Sequence, residues 1–153
     1  MSMEENKALV RRIYDELNRR NLATIDENTA SDYVGHALVH NPLRPAGVAS
    51  GVAGVKQDFT MHYTAFPDWQ ITIDDMIAEG DNVVIVTTER GRHQGEWLGI
   101  APTGQQVTVQ GVTIFRIADG KIAEAWGLAD RAGMWQQLGL IPETSEILPG
   151  LKQ

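Results

Sequence analysis

The feature that most constrains the fold is a change of hydrophobic period near Pro67. Before it, apolar residues recur three and four apart. Leu9, Val10, Ile13, Tyr14 and Leu17 form one stripe, with Arg11, Arg12, Asp15 and Glu16 beside it. Val55, Phe59, His62 and Phe66 form another, and both patterns are those of amphipathic helices. After Pro67 the period falls to two. "WQITIDDMIAEG" and "QQVTVQGVTIFRI" alternate, "DNVVIVTTERGRH" is a β-branched run, and "KIAEAWGLA" returns after the hairpin pair Asp119-Gly120. Helices first and a strand meander second predict an α+β chain, with helices on one face of a mainly antiparallel sheet. A long, strongly twisted sheet of this kind curls around its helices, and its concave side encloses a pocket.

Local signals place the boundaries. "SMEE" has capping-box spacing, with Ser2 as cap and Glu5 reaching back, so the first helix runs to about Arg20. "NLATIDENTA" predicts a short second helix, and Pro67 closes the third. "DYVGHALVHNP" alternates until Asn41-Pro42 and stays ambiguous between helix and strand. Gly139 stands where the last helix, "RAGMWQQLG", needs a C-terminal cap. A single domain is expected over residues 1–142, followed by a tail over 143–153.

Composition narrows the function. The 153 residues suffice for one core, and 42% apolar with 22% charged residues is ordinary for a globular chain. A net charge of -7 without a basic patch argues against nucleic acid as a partner. With no cysteine there is no disulfide, thiolate nucleophile or zinc ribbon. No window approaches 18 apolar residues and "MSMEENKALVRR" lacks the layout of a secretory signal, so the expected place is the cytoplasm, away from membranes.

Asp130 is the first candidate for chemistry. It ends a strand, Lys121 to Ala129, and begins a helix, so it reads either as an N-cap or as a base at a pocket mouth. Strict alternation puts Ile122, Glu124, Trp126, Leu128 and Asp130 on one strand face. If that face is concave, burial beside Trp126 raises the Asp130 proton affinity, whereas helix amides lower it. Glu124 reads as a solvent-facing strand residue or a second pocket acid. His93, in "ERGRHQGEW", is either an exposed loop histidine or a donor to a substrate oxygen. His36 and His40 share a face in either helix or strand, but lack a third ligand, so no metal is expected. His62 falls on a helix face without an assigned role.

Taken together, "DYVGH", "AFPDWQITIDDMIAEGDNVVI", "GRHQGEWLGIAPTGQQV" and "IADGKIAEAWGLADRAGMWQQLG" resemble the SnoaL-like polyketide cyclase family of the nuclear transport factor 2-like superfamily. The resemblance spans about residues 4–140. It implies a cone-shaped α+β fold with a deep apolar pocket, as a homodimer or homotetramer. It also implies ring closure of a small polyketide-like substrate by intramolecular aldol condensation, without metal or organic cofactor. Asp130 matches the family's catalytic base, His93 a pocket histidine and His36 the histidine of a "Y-V-x-H" segment, while Trp126 and Trp97 would line the cavity or its lid. With Glu124, Tyr33, Tyr14 and Phe59, the two tryptophans make up the expected substrate-binding set. Other readings are a double-bond isomerase or dehydratase using the same proton abstraction, and a non-catalytic binder of an apolar small molecule. An epoxide hydrolase would want two pocket acids bridged by an arginine, with Arg90 or Arg92 nearest in sequence.

Overall fold

The chain is seen in a computed structural model that describes residues 1–37 and 51–151. The elements are α1 (Met3–Asn18), α2 (Ala23–Asn28), β1 (Thr29–Ala37), α3 (Val52–Ala65), β2 (Gln70–Glu79), β3 (Asn82–Arg92), β4 (Gln106–Ala118), β5 (Lys121–Ala129), α4 (Arg131–Gln137) and α5 (Thr144–Ile147), then a short 3-10 turn, Pro149–Leu151. The five strands form one sheet in the order β1-β5-β4-β3-β2. Neighbours are antiparallel except β1 with β5, which run parallel. This is the α+β fold that the change of period predicts. The ambiguous "DYVGHALVHNP" is strand through Ala37, and its His40 and Asn41-Pro42 lie outside the described residues.

The local signals act as their chemistry requires. At the start of α1 the Ser2 amide donates to the Glu5 carboxylate at 2.6 Å, and the Glu5 amide donates to Ser2 Oγ at 3.2 Å. The β4–β5 turn has left-handed φ at both centres, 50° at Asp119 and 74° at Gly120, the twist a two-residue hairpin needs. Gly139, with φ 75°, ends the last turn after α4 and donates its amide to Gln136 O at 2.9 Å.

The concave face of the sheet holds the core. Val83 and Ile85 of β3, with Ile117 and Ile122, pack on Leu9, Val10, Ile13 and Leu17 of α1. Burying each such side chain contributes roughly 1.5–3 kcal/mol. A second cluster gathers Phe66, Trp69, Trp97, Val107, Val109 and Met134, and Tyr14 and Phe59 touch both clusters.

One irregularity overturns strict alternation along β5. Arg116 pairs with Glu124 but Ile117 pairs with Ile122, leaving Ala123 as an extra residue. A bulge reverses the side on which the following side chains emerge. Ile122 therefore enters the core, whereas Glu124, Trp126 and Leu128 emerge on the convex face, with Leu128 42% exposed. The five residues expected on one face are split between two.

Two side-chain amides cover open strand edges. Asn18, at the end of α1, donates to Ile71 O at 2.8 Å and accepts from Ile71 N at 2.9 Å. Gln137, at the end of α4, accepts from Thr108 N at 2.7 Å and donates to Thr108 O at 2.9 Å. Each mimics one further strand residue and fixes a helix against the sheet.

Candidate active site

Strand β3 carries Val83, Ile85, Thr87 and Glu89 toward the concave side at intervals of two. Glu89 has Ile71 of β2 and Val109 of β4 as its register neighbours, and both are buried. Three sets of side chains converge around it: Thr87 on its own strand, Trp69 just before β2, and Arg131 at the start of α4. The Thr87 hydroxyl lies 3.5 Å from Glu89 Oε1 and 3.4 Å from Gly111 O. Desolvation pushes the Glu89 carboxyl up to about 7. Hydrogen bonds from Trp69 and Thr87, and the Arg131 charge, pull less strongly the other way.

Two more titratable groups share this interior. His62 of α3 donates Nδ1–H to Asp58 O at 2.9 Å, which leaves Nε2 as an acceptor. Burial first, and the Arg131 charge second, bring His62 down to about 4, so the ring is neutral at neutral pH. The Tyr14 phenol is pushed up by burial and then by the Glu89 charge, against a hydrogen bond with Thr113. Tyr14 also lines a small apolar cavity of about 60 Å³ with Phe59, Tyr33, Val55 and Phe115. Tyr14, Tyr33 and Phe59 thus lie together on the interior wall.

The remaining expected site residues lie elsewhere. Asp130 is the N-cap of α4: its Oδ1 accepts from Gly133 N at 2.9 Å, and its own amide donates to Gln110 O at 2.9 Å. Its side chain is exposed at a surface groove with Val86, Val112 and Leu128, on the convex side. A Cβ at position 133 would overlap the Asp130 carboxylate, which would have to swing out of its capping position. Asp130→Ala should cost about 1 kcal/mol in urea unfolding, and Asp130→Asn a few tenths, because Asn caps as well as Asp.

His36 also emerges on the convex face. Its ring stacks on Trp126 at 4.9 Å and 7°, and its Nε2 lies 3.1 Å from Glu124 Oε2. Glu124 is held below the usual carboxylate range by Arg116 first and His36 second. Trp126, Glu124 and His36 therefore form one cluster with Arg116, apart from Glu89.

His93 is fully buried, contrary to the reading of an exposed loop residue. It stacks on Phe66 at 5.1 Å, and Nδ1 accepts from Thr103 N at 3.2 Å. Trp97 is buried in the same aromatic cluster. Trp69 lies across Gly91, between Glu89 and His93 along β3. Among the described residues no three His, Cys, Asp or Glu side chains converge as metal ligands.

Sequence reasoning passed over Glu89, His62 and Arg131. The available signal for Glu89 was an acid at even spacing from Val83, Ile85 and Thr87 within a β-branched run.

Comparison with known proteins agrees with this architecture. The chain is 29% identical over 150 residues to an aklanonic acid methyl ester cyclase of Streptomyces galilaeus, covering 96% of this chain and 100% of that protein. A counterpart from Streptomyces peucetius is 29% identical over 134 residues, covering 86% of this chain and 88% of the other. Among solved structures, a candidate hydroxylase of Streptomyces galilaeus superposes with a TM-score of 0.84 at 29% identity, covering 97% of this chain and 90% of its own. A candidate polyketide cyclase of Streptomyces antibioticus gives 0.77 at 29% identity, covering 88% and 98%. Residues 8–138, from α1 to the end of α4 and so including every group around Glu89, match the SnoaL-like polyketide cyclases, and the chain belongs to that family.

Proposed function

We propose that the protein is a cofactor-independent cyclase that closes a ring in a small polyketide-like substrate, and that Glu89, rather than Asp130, is its general base. The supporting observation is a half-buried carboxyl, between the buried Ile71 and Val109, whose proton affinity is raised to about 7 by desolvation, with Tyr14 and Arg131 within its electrostatic reach. A base poised near the working pH is both ionised and strong enough to take a proton from carbon.

The step balances without an oxidant or reductant. The Glu89 carboxylate takes a proton from a carbon flanked by carbonyls, leaving an enolate. The enolate carbon forms a C–C bond to a second carbonyl carbon of the same molecule, whose π pair moves to oxygen. That oxygen takes the proton back from Glu89. The negative charge travels from Glu89 to the enolate and then to the alkoxide, within the field of Arg131 throughout. The interior contributes by holding the two carbonyl segments close.

Incubation with aklanonic acid methyl ester, and with simpler β-dicarbonyl esters in D₂O, tests the reading. Wild type should give a ring-closed isomer of unchanged mass, or deuterium uptake at the flanked carbon, and Glu89→Gln should give neither. Uptake without ring closure would mean an isomerase or dehydratase. Equal activity in Glu89→Gln would return the role of base to another residue. Binding with no exchange would make the protein a carrier.

The convex sheet face is our proposed homodimer surface. It carries Val84, Val86, Val112, Ile114 and Trp126, with Leu128 exposed. Leu128→Asp should shift a dimer to monomer in sedimentation at micromolar concentration, and a monomeric wild type would overturn the assignment. A cytoplasmic location fits the cysteine-free sequence.

A further inference from the structure

We propose that residues 143–151 form an arm that docks into an apolar groove beside α4 of a second copy of this chain, each copy lending its arm and receiving the other's. The proposal rests on the convex face being a homodimer surface, and it names what fills one end of that surface.

The arm carries apolar residues that its own chain leaves uncovered. It consists of α5 and the 3-10 turn after it, and residues 143–151 are exposed throughout. Ile147, Leu148 and Leu151 are 55%, 52% and 58% exposed. Their spacing of three and four is that of an apolar stripe. α5 has only four residues, and a helix of one turn is held by packing rather than by its own hydrogen bonds.

The groove is the complementary half. Val86, Val112, Leu128, Ala129 and Trp135 line an open space of about 530 Å³ where the convex sheet face meets α4. Val86, Val112 and Leu128 belong to the proposed dimer surface, so the groove is continuous with it. An apolar concavity open to water is where a partner's side chains gain most from burial.

A second copy is the occupant because of where the arm starts. Gln136 Nε2 donates to Pro142 O at 3.1 Å and to Thr144 Oγ1 at 3.0 Å, which ties the arm to the far end of α4. The groove opens at the near end, around Leu128 to Ala132. α4 has seven residues, about 10 Å of helix, so the arm departs from the opposite end of the helix. Each copy carries one arm and one groove. A two-fold axis pairs both arms with both grooves at once and leaves neither to recruit a third copy.

The cysteine-free chain permits a direct test. Leu128→Cys protein is mixed with ¹⁵N-labelled Leu148→Cys protein and treated with a short bismaleimide. Each polypeptide then holds one thiol, so a 128–148 link can form only between copies. Such a link is expected, and mass spectrometry of the tryptic peptides identifies it. Leu148→Asp should weaken the dimer roughly tenfold or more in sedimentation equilibrium, as loss of a buried apolar anchor does. Its circular dichroism should match wild type, since Leu148 lies on the surface of the single chain. A dimer unmoved by Leu148→Asp, or one that yields 128–128 links without 128–148 links, overturns the arm and leaves the convex dimer standing. So does a link within one chain of the doubly substituted protein, with none between copies. A monomeric wild type overturns both.

Discussion

Glu89→Gln is expected to give a protein that is more stable at pH 8 and slower by roughly a hundredfold to ten-thousandfold. The two effects share one cause. Glu89 has a higher proton affinity folded than unfolded, because burial removes water from its charge. This is the reverse of a salt-bridged carboxylate. Below the unfolded value of 4.5 both states hold the proton and there is no penalty. As pH rises from there to about 7, the unfolded chain ionises while the folded one resists, and stability falls. Above about 7 the full penalty is present, about 3 kcal/mol from the size of the shift. Glutamine removes it, so the melting temperature at pH 8 should rise by roughly 5–10 °C and change little at pH 4. Calorimetry at the two pH values checks the sign, and an equal effect at both would mean Glu89 is not held protonated by burial. His62 acts on the acid side. Its folded value, near 4, lies below the ordinary 6.5, so stability is lost as pH falls through that interval.

Gly95→Ala should destabilise the chain by about 3 kcal/mol or more. A Cβ there would overlap the Thr64 carbonyl oxygen and press on the Ala65 backbone. Neither is a flexible side-chain tip that could swing away. The same turn is joined to the end of α3 by two amides, Gln94 N at 2.9 Å and Gly95 N at 3.0 Å, both donating to Ala65 O. Moving the glycine away from α3 breaks that shared acceptor and detaches the β3–β4 connection, which carries the buried Trp97. Urea unfolding followed by tryptophan fluorescence measures the loss. A midpoint within about 1 kcal/mol of wild type would show that the turn has room to shift.

The fold was legible where one face of an element decides its pattern. The α1 stripe, the capping box, the Asp119-Gly120 turn and the Gly139 cap each have a single physical reading, and each occurs as expected. The site was less legible, for two reasons. Along β5 the Ala123 bulge reverses parity, and no residue type in "KIAEAWGLA" announces it, so strict alternation put Trp126 and Glu124 on the same face as Ile122, whereas they emerge on the opposite one. Along β3 both faces are β-branched: Val84 and Val86 on the convex side resemble Val83 and Ile85 on the concave side. The side taken by Glu89 was therefore hidden until the register with Ile71 and Val109 was known. Asp130 was correctly placed at a strand–helix junction, where capping and catalysis leave the same mark in a sequence.

The parallel pairing of β1 with β5 has a consequence for how the chain is born. His36 and Glu124, which meet across that pair, are 88 residues apart. At ribosomal speeds of about 5–20 residues per second, the later partner is synthesised about 4–18 s after the earlier one. During that interval β1 has no strand to join, while β2, β3 and β4 can already pair as local hairpins. The sheet therefore closes from its C-terminal strands toward β1, and a nascent chain stalled before Lys121 carries an unpaired strand edge that is open to association with other chains.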